Sequence, residues 1–406
     1  MSRLALRGNQ ELVRKMNESL ILNCVREHGP ISRAEIARLT GLTTGTVSNL
    51  CSGLLERGLI EEVGLGASRG GRKPVMVRLS SSRFALGVQV GVDEVAVLLV
   101  SLACEPLRRR AQPLPPGAEP QAVVDLVTRL VGEVLAEAAI GPDQILGVGV
   151  SLPATVDADG EFVLYAPNLR WRSAPVGVLL RERLGLPVVL ENDANAAAFG
   201  EFWCGATRGM PNSVFVYVDY GIGAGFIVGG ELYRGRDRVA GELGHTTVDL
   251  SGPQCHCGNR GCLGTLASGL SVMRRVWEAR QGPPVAAPVD LLAQGLRLDD
   301  LIQAARSGDA LVQSAIREAA TYLGVGLANL INLYNPQALV LGGKLALEGP
   351  EYWETATTAA TQRLYPAFRN QVGVIPSALG PDAPGIGVAA LVMRPLFQPV
   401  PLPVGA

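Results

Sequence analysis

Apolar positions recur at helical spacing in three successive windows near the start of the chain. From Asn9 to Glu27 they fall at Leu12, Val13, Met16, Leu20, Ile21 and Val25, and Gly29-Pro30 ends the helix that this spacing predicts. Ser32 then reads as an N-cap with Glu35 three residues on, a capping-box pair ahead of Ile36 and Leu39. Gly41 breaks this second helix. Thr43 or Thr44 caps a third, which places Val47, Leu50 and Leu54 on one face and stops at Gly58. Beyond it the pattern becomes that of strands, at Leu59–Val63 and Pro74–Leu79, separated by the Gly/Ser/Arg segment 64–72.

Helix, helix, short turn, helix and hairpin is the order of a winged helix-turn-helix, assigned here to residues 1–80 as a DNA-binding domain. The small polar side chains Thr43, Thr44, Thr46, Ser48 and Asn49 open the third helix and can approach phosphates and base edges. Arg69, Arg72 and Lys73 lie on the expected wing, where cations track a phosphate backbone or enter a minor groove. Charge agrees. Residues 1–80 carry twelve Lys/Arg against seven Asp/Glu, whereas the rest carries 24 against 30. A basic module on a mildly acidic body suits double-stranded DNA as the partner.

After Ser80 the pattern alternates between strands and helices. Phe84–Val90, Val95–Leu102, Ile145–Ser151, Val188–Leu190, Val214–Val218 and Ala338–Leu341 are apolar enough to be buried strands. Pro113–Pro120 reads as a surface loop, Ala122–Ala139 as an amphipathic helix, and Leu298–Leu333 as one long helical region. Glu191-Asn192-Asp193-Ala194-Asn195 opens an alanine-rich helix, and Gly221-Ile222-Gly223-Ala224-Gly225 reads as a glycine turn. The implied body, residues 81–406, is α/β with its sites at strand ends. Hydrophobic content of 48% without a membrane-length apolar run, and a charged N-terminus, predict a cytoplasmic protein with no membrane partner.

In a reducing compartment clustered cysteines favour a metal over a disulfide frame. Three of the seven cysteines fall between positions 255 and 262. With His245 they give His-x9-Cys-x-Cys-x4-Cys, and His245, Cys255, Cys257 and Cys262 supply the four N/S ligands of a structural Zn²⁺. His256 offers an alternative imidazole, but it would have to bind between two ligands on one short loop.

These motifs carry a resemblance. Glu191–Asn195, Gly241-Glu242-Leu243-Gly244-His245, the cysteine cluster and Asn335-Pro336-x4-Leu341-Gly342-Gly343 resemble the ROK family of repressors and sugar kinases. Ile31–Ala37, Gly41–Ser48 and Gly70–Pro74 resemble the N-terminal domain of its repressor branch, of the xylose and N-acetylglucosamine type. The resemblance implies a two-lobed, actin-like and ribonuclease-H-like sugar-kinase fold with a cleft near 190–265. It implies sugar contacts from Asn168, Asn192, Asp193, Glu242 and His245, with Asp193 at the position of the kinases' general base. It also assigns the four zinc ligands.

The chain departs from the kinase pattern in three places. Gln89-Val90-Gly91-Val92-Asp93 stands where the first phosphate loop has Asp-x-Gly-Gly-Thr, and Asp219-Tyr220-Gly221 where the second has Gly-Thr-Gly. An aspartate ~4 Å from a phosphate oxygen costs roughly 4 kcal/mol per unit charge at an effective dielectric of 20. That is about three orders of magnitude in affinity. Gly264 replaces a sugar-contacting glutamate. The expectation is therefore a transcriptional regulator, a repressor of carbohydrate genes. Its body lacks kinase activity and serves as sugar sensor and homodimerisation domain, with a tetramer left open. An active kinase with an accessory DNA-binding domain, and a regulator with a vestigial pocket controlled by a protein partner, are the alternatives.

Overall fold

The computed structural model describes residues 10–66, 73–280, 288–369 and 371–398. Its first module contains helices α1 (Gln10–His28), α2 (Arg33–Thr40) and α3 (Thr44–Glu56). Strands β1 (Ile31–Ser32), β2 (Ile60–Leu65) and β3 (Val75–Leu79) form one sheet in the order β1-β3-β2. Ser32 caps α2 as its sequence position suggests, accepting from the Glu35 N–H at 3.2 Å. The reciprocal half of the capping box is replaced, because the Glu35 carboxylate pairs with Arg38 one turn further along. Thr43, rather than Thr44, caps α3.

The body repeats one strand plan twice. Strands β4 (Phe84–Val90), β5 (Glu94–Ser101) and β6 (Pro106–Pro113) form an antiparallel meander. Helix α4 (Pro120–Ala138) leads to β7 (Ile145–Leu152), which pairs in parallel with β4. A small sheet of β8 (Thr155–Val156), β9 (Val163–Ala166) and β10 (Trp171–Ala174) follows. Helix α5 (Val176–Leu184) then leads to β11 (Val188–Asn192), parallel to β7.

Helix α6 (Asp193–Cys204) carries the chain into the second lobe. There β12 (Ser213–Val218), β13 (Ile222–Val228) and β14 (Glu231–Tyr233) form a second meander. Four helices follow: α7 (Leu263–Ala267), α8 (Gly269–Ala279), α9 (Pro288–Ala293) and α10 (Leu298–Arg306). Helix α11 (Ala310–Tyr334) then precedes β15 (Ala338–Gly342), parallel to β12. Helices α12 (Lys344–Glu348) and α13 (Tyr352–Thr361) precede β16 (Gly373–Pro376), parallel to β15, and α14 (Ala383–Phe397) ends the described chain. Each sheet is thus a three-stranded meander with two parallel strands added beside its first strand, the actin-like plan of two facing lobes. Among the described residues no helix is long and apolar enough to cross a membrane.

Two sequence expectations change. Residues 222–225 belong to strand β13, and the turn lies earlier, at Asp219-Tyr220-Gly221. The glycines are needed for close packing: a Cβ on Gly225 would stand 2.4 Å from the Ala194 carbonyl oxygen of α6. The long helical region is two helices, because Asp309 accepts from the Leu311 and Val312 N–H groups and starts α11 afresh.

Candidate functional site

The lobes enclose a cleft of about 810 Å³ at the carboxyl ends of β4, β11 and β12. Asn168, Asn192, Asp193, Glu242 and His245, scattered over 78 positions of sequence, all line it. Asn168 sits on a 3₁₀ turn of the first lobe, its amide nitrogen 3.4 Å from where a Cβ on Gly221 of the second lobe would stand. Asn192 is the N-cap of α6. Its oxygen accepts from the Asn195 N–H and its amide donates to the Ala154 carbonyl, so much of its hydrogen-bonding capacity is spent on the scaffold.

Asp193 begins α6 and accepts from the Ala194 N–H at 2.8 Å. Burial pushes its pKa up to about 6, against the opposing pull of that backbone bond, and the nearby Glu242 charge adds to the rise. Asp219 is raised to about 7, again by burial, with Lys344 opposing and the carboxylates of Asp93 and Asp193 contributing. The Tyr220 hydroxyl donates to Asp93 Oδ2 at 2.5 Å, joining the turn between β4 and β5 to the turn after β12. Gln89 Oε1 and Asp219 Oδ1 are buried without a hydrogen-bond partner among the described residues, and both side chains line the cleft.

Sequence reasoning passed over several cleft residues. Lys344 follows the Gly342-Gly343 turn and pairs with Asp299 at 2.9 Å, and Arg238 and Arg274 also line the walls. Glu191, the first residue of the Glu191–Asn195 segment, stands beside the cleft rather than in its lining. Its carboxylate, 2% exposed, reaches from β11 to Arg234 at 2.6 Å and Arg238 at 3.3 Å in the second lobe. The signal was available: a glutamate among apolar strand residues requires a buried partner. Gly264 lines the cleft as well, where a Cβ would stand 3.1 Å from the Gly244 carbonyl oxygen, so this backbone crowds any side chain.

Beside the cleft, one donor atom each from His245, Cys255, Cys257 and Cys262 lies within 4.8 Å of every other. His245 Nδ1 is 3.5 Å from Cys255 Sγ, and the Cys257 and Cys262 sulfurs are 3.7 Å apart. A tetrahedral ion with bonds of about 2.3 Å to sulfur requires sulfur–sulfur separations near ~3.8 Å, so the donor set fits Zn²⁺. His245 Nε2 stands 3.9 Å from the Glu242 carboxylate, beyond hydrogen-bond distance. His256 is absent from this cluster and stands edge-on against the His245 ring.

On the first module Thr43, Thr44, Ser48 and Asn49 are exposed, with Thr44 and Ser48 one turn apart on α3. Thr46 is half-buried, and its hydroxyl shares a hydrogen bond with that of Thr43. Lys73 is exposed. Arg69 and Arg72 lie outside the described residues.

A two-lobed body with a cleft lined by carboxylate and amide side chains, carrying a winged helix, defines the class, and comparison with known proteins agrees. Residues 85–394 match the ROK family and residues 15–69 the MarR family. The chain belongs to the ROK family, with a MarR-type winged helix at its N-terminus. It is 31% identical to the xylose repressor of Bacillus subtilis, over 95% of this chain and 97% of that protein. It is 30% identical to NagC, the DNA-binding transcriptional dual regulator of Escherichia coli, over 96% of this chain and 95% of that protein. A ROK family transcriptional regulator described as a homologue of the E. coli MLC protein superposes with a TM-score of 0.76 over 95% of this chain and 98% of that one, at 24% identity. A ROK family glucokinase from Streptomyces griseus, solved with glucose and AMPPNP, covers 77% of this chain and 99% of its own, with a TM-score of 0.66 and 31% identity.

Proposed function

We propose that the protein is a DNA-binding, sugar-responsive transcriptional repressor of carbohydrate genes that binds a sugar without phosphorylating it. The observation that carries this reading is the pairing of an exposed Thr44/Ser48 helix face with a cleft in which Asn168, Asp193 and Glu242 converge. Similarity over nearly the full length to repressors named for xylose and N-acetylglucosamine supports it. The carboxyl of Asp193 would orient sugar hydroxyls, and His245, Cys255, Cys257 and Cys262 would hold a structural Zn²⁺ that supplies rigidity to the loop bearing Glu242. A homodimer would present two α3 helices to a two-fold symmetric operator.

The absence of kinase activity is part of the proposal. Asp93 puts a carboxylate at the first phosphate-loop position, Asp219 with its carboxyl raised to about 7 stands at the second, and the Asp93–Tyr220 hydrogen bond ties the two turns together. Purified protein with Mg·ATP should therefore phosphorylate neither hexoses nor pentoses. Turnover at ordinary kinase rates, roughly 1–100 per second, would overturn this part.

The test of the whole is calorimetry against D-xylose, D-glucose and N-acetyl-D-glucosamine, with mobility shifts on duplexes selected from a random pool. Asp193→Asn should weaken the sugar's effect on DNA release by roughly 5- to 150-fold while leaving ligand-free DNA binding near wild type. Because the Asp193 carboxyl titrates at about 6, wild-type sugar affinity should fall as pH drops through that value, and the Asp193→Asn variant should lose this dependence. Failure of all three sugars to bind would favour the vestigial-pocket alternative.

DNA binding is assigned to residues 1–80 together with the dimer contact. Arg72→Ala should lower the log–log salt slope by about 1 across sequences, whereas Thr44→Ala or Ser48→Ala should change sequence preference. Retention of operator binding by a chain lacking residues 1–80 would sink the assignment.

A further inference from the structure

Helices α6 and α14 lie side by side and serve different lobes: α6 packs on β12 and β13 of the second sheet, α14 on β4 and β7 of the first. Their backbones meet at Gly200 and Gly387, where a Cβ on Gly200 would stand 2.9 Å from the Gly387 Cα. Both helices start at the cleft, since Asp193 and Pro381, two residues ahead of α14, line it. The twelve residues of α6 run about 18 Å away from it. At the far end Trp203 of α6 and Phe397 of α14 meet edge to face, ring centroids 5.5 Å apart.

Arg26, near the end of α1, covers that meeting point. Its guanidinium carbon is 3.8 Å from the Trp203 ring centroid and 5.4 Å from that of Phe397. The Asn23 amide donates to the Phe397 carbonyl, and Arg208 reaches the Arg26 carbonyl at 3.5 Å. Arg26 Nε and Nη1 have no hydrogen-bond partner among the described residues, so the two rings hold this cation more than directional bonds do. Helix α1 in turn shares one apolar core with α3, through Ile21, Leu22 and Val25 against Val47, Leu50 and Leu54.

We propose that Arg26, seated across the seam between the lobes, couples the cleft to the DNA-binding module. The proposal rests on the reading of the cleft as an effector site. Closing the lobes on a ligand shears α6 against α14, because each helix is fixed to its own sheet and a close-packed seam moves as packed elements rather than deforming continuously. Shear shifts Trp203 relative to Phe397, and Arg26 gains its full contact only when both rings are in place. Loss of that seat frees α1, and α3 moves with it.

Coupling of this kind is reciprocal, so it can be tested without a ligand. In the full-length protein, Arg26→Ala should speed amide exchange at residues 19–28 and, by favouring closure, slow it at the cleft segments 188–196 and 219–226, by roughly tenfold, the scale of a partly buried cation–π contact. Arg26→Lys should restore part of the protection, and Trp203→Phe should behave as an intermediate should the alanine variant fail to fold. Faster exchange confined to residues 19–28 and 199–208, with the cleft segments unchanged, would overturn the proposal. A parallel arm adds saturating D-xylose or N-acetyl-D-glucosamine to wild type, where faster exchange at residues 19–28 is expected. If neither sugar binds by calorimetry, the effector reading fails while the cleft response to Arg26→Ala still decides the coupling.

Discussion

Cys262→Ser is expected to release one equivalent of zinc per chain and to lower the melting temperature by roughly 10 °C, a loss of about 3–5 kcal/mol. Cys262 is fully buried and is the N-cap residue of α7, so its sulfur joins the His/Cys cluster to the helix carrying Gly264. Without the ion, the variant would leave two thiols, a hydroxyl and an imidazole crowded together with no common partner. The loss stays below the roughly 10–16 kcal/mol typical of zinc-finger peptides because the lobe keeps its own apolar core. Sugar affinity should fall with stability, since Glu242 and His245 stand on the same loop. Metal analysis and a thermal melt check this. Wild-type protein that is free of metal and melts no lower than the zinc-loaded form would remove the structural role.

Glu191→Ala should destabilise the body by about 3–5 kcal/mol, the usual result of removing one member of a buried ion pair. The cost arises mainly from what remains. Arg234 and Arg238 are each about four-fifths covered, and both direct a guanidinium at the lost carboxylate. Asn195 would also lose the acceptor of its amide, at 3.1 Å. Because Glu191 stands on the first lobe's sheet and the arginines on the second lobe, the variant should also open the cleft, which limited proteolysis would register. Urea denaturation measures the stability change, and a difference below about 1 kcal/mol would assign the cluster to the level of surface ion pairs.

The three helices of the first module were legible because each carries its own start and stop signals. Ser32, Gly41 and Thr43 act through hydrogen bonds and backbone conformations within a few residues. The wing was legible only as a hairpin, with Arg69 and Arg72 outside the described residues. The His/Cys cluster was equally local, since His245, Cys255, Cys257 and Cys262 fall within eighteen residues. The Gly221–Gly225 segment was misread as a turn because glycine marks both turns and close packing. Only the presence of α6 against β13 distinguishes them.

Sequence by itself determined the elements whose causes are short-ranged: the helix caps, the alternation of apolar strands, the His/Cys spacing and the charge difference between the two parts of the chain. Tertiary structure decided what depends on groups far apart in the chain. It placed Asn168, Asp193 and Glu242 around one cleft, paired Glu191 with arginines more than forty residues away, and bound Asp93 to Tyr220 across the lobes. It also laid Arg26 over Trp203 and Phe397, a contact without any sequence signature. The physical reason is that burial and electrostatic partnership are properties of position in space. A carboxylate's pKa, or a cation's seat on a ring, exists only once the lobes have brought the partners together.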